Sequence, residues 1–329
     1  MQISRIIRIG LTTGCLTSSL GLFTASLPAQ QSTPKPPGAK PAPGASSALT
    51  ADKAVALAQQ GHCKEALPAL RRIVAAPGPV ESRRMAGIAG LRCTMSMDSI
   101  DATLDFVRLL GRDFSNDPEV LFVLVHTYSD LSGRVAQELA VKAPHSVPAQ
   151  KLNAEALEMQ GKWDEAQTQY EDMLTKNPDE PGIHYLLGRL LLSKPQGDEA
   201  AIQKAKGEFE KELQIDPKNS GAEYILGEMA KQGGQCDEAV PHFTRATKLD
   251  PTFGDAYMSL GFCLVMLKQW EQAIAPLQMA TRLEAGNPSA HYNLALAYSR
   301  SGKREEAEKE FAIHRQMTAK SPPDGGSAQ

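Results

Sequence analysis

The chain has 329 residues, 22% of them charged, a formal net charge of −3 and only 5% aromatic residues. Charges of both signs are interspersed, which excludes the basic patch a nucleic-acid binder needs. A hydrophobic fraction of 42% is enough for a sizeable core and excludes a wholly disordered chain.

Arg5 and Arg8 precede an apolar stretch interrupted by Ser and Thr over 9–27, followed by Pro28-Ala29. This order of charge, apolar run and small residue predicts a secretion signal over 1–29 and hence an exported protein, periplasmic or extracellular. Left uncleaved, the same stretch is a membrane anchor, and that is the sole membrane contact expected. Cys15 behind Gly14 has the look of a lipidation site, but Thr12 stands where a Leu-like residue is wanted. Residues 30–48 carry Pro34, Pro36, Pro37, Pro41 and Pro43, which favour extended polyproline II over packing. A disordered linker is expected there, and a frayed tail over 319–329.

Between these ends the chain repeats. Ala205, Ala239, Ala273 and Ala307 lie 34 residues apart, each with Phe209, Phe243, Leu277 or Phe311 four positions on. A second series, Ala154, Gly188, Gly227, Gly261 and Ala295, keeps the same step except for 39 residues between Gly188 and Gly227. The alanine series also reaches back to Ala166, so five extra residues fall between Gly188 and Ala205, most naturally at 194–198, where Pro195 and Gly197 break a helix. A constant period of this length predicts stacked helical hairpins, none of which buries its apolar face alone.

Each unit reads as two antiparallel helices. Tyr224, Leu226, Gly227 and Ala230 share one face of a first helix, and Gly233-Gly234 ends it. Asp237 and Glu238 open a second helix, where carboxylates favour the dipole, and Ala239, Phe243 and Ala246 follow at helical spacing before Asp250-Pro251. Regular units are expected over 147–318 and degenerate ones over 49–146. In the latter, Gly61, Ala66 and Leu70 mark one unit, Gly90, Ala102 and Phe106 a second, and Leu121, Leu124, Tyr128, Ala136 and Pro144 a shortened third. About 270 residues at this period give roughly eight hairpins, or about sixteen helices, and no sheet.

The run Leu226-Gly227, Gly234, Ala239, Phe243, Ala246, Pro251, with its counterpart Tyr257, Leu260-Gly261, Leu264, Trp270, Ala273, Leu277, Ala280, resembles the tetratricopeptide repeat (TPR) family. The resemblance implies an all-α, right-handed superhelical solenoid of antiparallel helix pairs. In that family the first helices line a concave groove for a protein or an extended peptide. The corresponding positions here are Tyr185, Tyr224, Met258 and Tyr292, with Arg189, Phe262 and Asn293 beside them, and Met266 and Arg300 nearby. The Lys and Asn that clamp a peptide carboxylate in some TPR domains are absent at these positions, so that function is not carried over.

Stacked hairpins also bring the cysteines together. Cys236 follows a turn at the start of a second helix and Cys263 ends the next first helix, and Cys63 and Cys93 have nearly the same relation. In an exported protein this predicts the disulfides Cys63–Cys93 and Cys236–Cys263. The other reading is four separate buried thiols.

No phosphate loop, zinc helix or nucleophile elbow occurs in the sequence. His184 and His291 share one repeat position and read as packing residues rather than bases or ligands. The expectation is a non-catalytic exported scaffold without cofactor or metal. Two alternatives stay open: a regulatory subunit of a secreted or envelope enzyme, and an enzyme whose site hides in 80–144.

Overall fold

The computed structural model describes residues 49–195 and 199–320. The expected signal over 1–29, the linker over 30–48 and residues 321–329 of the expected tail lie outside the described residues. Those described form fifteen helices and no strand. They fall into two compact units that divide after Pro144.

In the N-terminal unit, α1 (Ala51–Gln59) pairs with α2 (Cys63–Ala75), and α3 (Val80–Ser96) with α4 (Ile100–Asp113). A continuous core of Leu70, Val74, Leu91, Phe106 and Leu110 joins them. Arg71 pairs with Asp105, tying α2 to α4; Arg83 pairs with Asp113, tying α3 to α4; and Arg84, paired with Glu81 in its own helix, also reaches Glu119 on the helix that follows α4. Gly90 is a glycine because the ring of buried Phe106 occupies the space a Cβ would need, 2.2 Å away.

The shortened third hairpin does not form. Residues Pro118–Lys142 make one uninterrupted helix, α5, of 25 residues. Asp117 caps it by accepting from the amides of Glu119 and Val120 at 2.9 and 3.1 Å, and Pro118 takes the first turn. No proline follows before Pro144, and Gly133 stays helical with a negative φ, so nothing reverses the chain. The described residues therefore hold seven hairpins and one single helix.

The C-terminal unit begins with α6 (Val147–Met159) and α7 (Trp163–Lys176). The pairs α8 (Ile183–Ser193) and α9 (Glu199–Ile215), α10 (Ser220–Gln232) and α11 (Cys236–Leu249), α12 (Gly254–Met266) and α13 (Trp270–Leu283), and α14 (Pro288–Arg300) and α15 (Arg304–Lys320) follow, each stacked on its neighbour. Ala166, Ala205, Ala239 and Ala273 have no exposed surface, and Phe209, Phe243 and Leu277 fill the seam beside them. The Phe243 ring lies over Gly227, where a Cβ would come within 2.7 Å of it. The turns close on a residue of positive φ: Gly61, Gly161, Gly234 and Gly302, with Asp98 and Lys268 at two corresponding places.

The five-residue insertion has a visible consequence. Ala239, Ala273 and Ala307 are each the fourth residue of their helix, whereas Ala205 is the seventh of α9. The insertion thus adds nearly one helical turn at the start of α9 as well as lengthening the connection. A cleft of ≈ 570 Å³ lies between this extended end and α10–α11, lined by Ile202, Met229, Gln232, Glu238 and His242 among others.

The cysteine pairs differ. Cys63 and Cys93 are joined with an S–S distance of 2.00 Å, pinning α2 to α3. The expected Cys236–Cys263 bond is not formed: both are free, buried thiols, with Cys236 Sγ donating to Cys263 Sγ at 2.7 Å. Burial, reinforced by the adjacent Cys236 thiol, pushes the Cys263 thiol well above the usual range.

Candidate functional site

Three of the residues expected to face a partner come together. Tyr224 on α10 stacks against Phe243 and Phe253, with ring centroids 5.9 and 4.7 Å away. Met258 and Phe262 on α12 pack, partly open, on the same apolar cluster. Between them stands Lys231, whose Nζ lies 5.9 Å from the centroids of both Phe243 and Phe262. That ammonium donates to Glu228 Oε1 at 2.6 Å and to Ser259 Oγ at 3.1 Å, and Ser259 donates to the same Glu228 oxygen at 2.5 Å. Glu228 and Ser259 are buried, so α10 and α12 are joined by a buried, hydrogen-bonded polar knot beside the apolar side chains. Burial raises the Tyr224 hydroxyl, with the Glu228 carboxylate adding to it.

The remaining candidates are placed elsewhere. Tyr185 on α8 belongs to the cluster around Phe209, edge-on at 5.8 Å, and covers Gly221 so closely that a Cβ there would meet its ring at 3.0 Å. Arg189 reaches back to Glu158 Oε2 on α6 at 3.5 Å, and Tyr170 donates to Oε1 of the same carboxylate at 2.8 Å. Tyr292 on α14 is 46% exposed and rests on Phe311 and His314. Asn293 is buried, and its Nδ2 donates to Ser289 O at 2.8 Å within its own helix. Met266, at the end of α12, is 60% exposed, and Arg300 lies over the Trp270 ring.

Sequence reasoning missed the buried carboxylates. Glu228 has been described. Glu212, on α9, has no exposed surface and caps α8: its carboxylate accepts from Gly182 N at 2.8 and 3.0 Å, Tyr185 N at 3.2 Å and Asn219 Nδ2 at 3.1 Å. The two equivalent histidines likewise reach a carboxylate on the paired helix, His184 Nδ1 to Glu208 at 2.5 Å and His291 Nδ1 to Glu310 at 2.6 Å. His184 Nε2 meets Pro178 O at 3.1 Å, so both its ring nitrogens are engaged and neither is open to a substrate. A cleft of ≈ 260 Å³ beside it holds Lys204 and Lys211, each paired with a glutamate. Among the described residues no group of three His, Cys, Asp or Glu could hold a metal ion, and no helix is long and apolar enough to cross a membrane.

Two family models match the chain, one described as tetratricopeptide repeat over 152–219 and one as TPR repeat over 263–302. This is a TPR protein. As such it has a role in protein interaction. No characterised protein sequence matches the chain. Among solved structures, the TPR array is similar to YrrB, described as a TPR protein with an unusual peptide-binding site, at 20% identity over 56% of this chain and 93% of that one, with a TM-score of 0.47. It is also similar to MamA, at 23% identity over 51% and 88% with a TM-score of 0.44. A MamA fragment from Desulfovibrio magneticus RS-1 matches at 20% identity over 52% and 94%, also at 0.44.

Proposed function

We propose that this TPR protein is a non-catalytic exported scaffold that captures an extended peptide or protein segment on its C-terminal first helices. The observation that carries this reading is the partly open apolar set on three successive first helices. Tyr224 on α10 and Met258 and Phe262 on α12 keep contact area available above the buried Glu228–Lys231–Ser259 knot, and Met266 at the end of α12 and Tyr292 on α14 are exposed further along. Aromatic and methionine side chains give large contact area at low entropic cost, and a preformed surface adds little reorganisation. Arg189 and Asn293 are committed to intramolecular partners and take no part. His184, the residue most like a base, has both nitrogens engaged, which favours a binding role over catalysis. Export rests on the N-terminal charge and apolar pattern, and the Cys63–Cys93 bond fits an oxidising compartment.

A random peptide library displayed against the immobilised protein tests the groove. Peptides enriched by the wild type should bind Met258→Ala, Met266→Ala and Tyr292→Ala at least tenfold more weakly, about 1.4 kcal/mol each, while far-ultraviolet dichroism is unchanged. Tyr224→Ala should act in the same direction with some loss of Tm. Undiminished affinity in all of these variants counts against the surface.

A further inference from the structure

Lys231 is a cation held in place among the partly open apolar side chains of the C-terminal unit. It stands seven residues after Tyr224 on α10, two helical turns, so the two share a face, as Met258 and Phe262 do one turn apart on α12. A lysine ammonium has three N–H donors and no acceptor. One goes to Glu228 Oε1 at 2.6 Å and one to Ser259 Oγ at 3.1 Å, and the rings of Phe243 and Phe262 flank the nitrogen. The third has no partner among the described residues, and the side chain keeps 23% of its surface exposed. We propose that this third N–H is the polar anchor of the surface and takes a main-chain carbonyl of the captured segment. The inference rests on the peptide-capture reading above and assigns the contact that fixes the segment's register.

Two observations select this donor and this acceptor. The first is order. A free lysine gives up much rotamer freedom when it grips a ligand, whereas two hydrogen bonds and two aromatic faces have already fixed Lys231. Its neighbours offer no equivalent, since Arg189 is paired with Glu158 and Arg300 lies exposed over Trp270. The second is charge. Buried Glu228 already balances the ammonium, and Asp255 and Glu284 act on the same place: after burial, the Glu228, Asp255 and Glu284 carboxylates all push the Tyr224 hydroxyl up. A peptide carboxylate would meet three carboxylates against one ammonium. A neutral carbonyl escapes that repulsion and needs a single donor. An extended segment offers one at every residue, so the anchor suits the apolar sequences that Tyr224, Met258 and Phe262 favour.

Peptides enriched by the wild type from a random library are the probe. Lys231→Met should bind them at least tenfold more weakly. Because that change leaves buried Glu228 without its cation, the double variant Glu228→Gln/Lys231→Met, whose neutral amide still meets Ser259, decides the matter if the single variant unfolds. Replacing each peptide amide in turn by an ester makes one carbonyl a poorer acceptor. One such position should cost about fivefold on the wild type and nothing on the double variant. A lysine that served the fold alone would show no such position. A double variant that binds as tightly as the wild type, or an ester scan that reads the same on both, overturns the anchor and leaves the apolar surface standing. If the wild type enriches no peptide, peptide capture itself fails and the anchor falls with it.

Discussion

Asp255 shows how much a single residue depends on its neighbours across the stack. It opens α12 as a first-turn carboxylate, where the helix dipole alone favours ionisation. Yet burial raises its carboxyl, and the nearby Glu284 carboxylate raises it further, with Lys231 only partly opposing. An acid raised in the folded state adds stability that is complete at low pH and is lost as pH climbs through its folded value. Asp255→Asn should therefore increase Tm at neutral pH, and the increase should shrink as pH falls toward about 4, the ordinary carboxyl range. Thermal melts of both proteins across pH check this, and a lower Tm for the variant at neutral pH would contradict it. At this scale the small and bulky residues of the seam were readable from period alone, since Gly227 and Phe243 must meet wherever two helices touch. Glu212 and Glu228 were not, because each has a partner outside its own helix and their letters look like surface charge.

At the scale of the element, α5 and α9 depart from the repeat in opposite ways. For α9 the insertion was visible in the spacing, but its division between turn and helix was not. Which residues join a helix depends on what the added turn packs against. For α5 the apolar letters matched a hairpin, yet an apolar residue is equally at home on either side of a turn, and only a residue that reverses the chain decides between one helix and two. Gly133 offered that option and did not use it. Its Cβ position is open, with nothing within 4 Å. Gly133→Ala should thus raise stability by about 0.5–1 kcal/mol, seen as a higher Tm, because alanine favours an exposed helix interior. Were Gly133 a left-handed turn residue, the same change would lower Tm instead.

At the scale of the molecule, the two units are stabilised differently. Both carry inter-helix ion pairs, but the N-terminal one adds a disulfide to its core, while the C-terminal one adds buried polar knots to a regular apolar seam. Protein beginning at residue 30, denatured without reductant, should therefore release two thiols per chain, those of Cys236 and Cys263, in a thiol titration. Four would dissolve the Cys63–Cys93 bond, and none would mean that the second pair had closed as well. The repeat period by itself determined the all-α hairpin architecture, the seam residues and which cysteines lie side by side, because a stack of equivalent units repeats its contacts at the same interval as its letters. Only the tertiary structure decided which thiols bond, which carboxylates are buried, that 118–142 is one helix, and that Asn293 and Arg189 are spent internally. Each of these turns on the distance between atoms in different helices, a quantity that spacing along one chain leaves open.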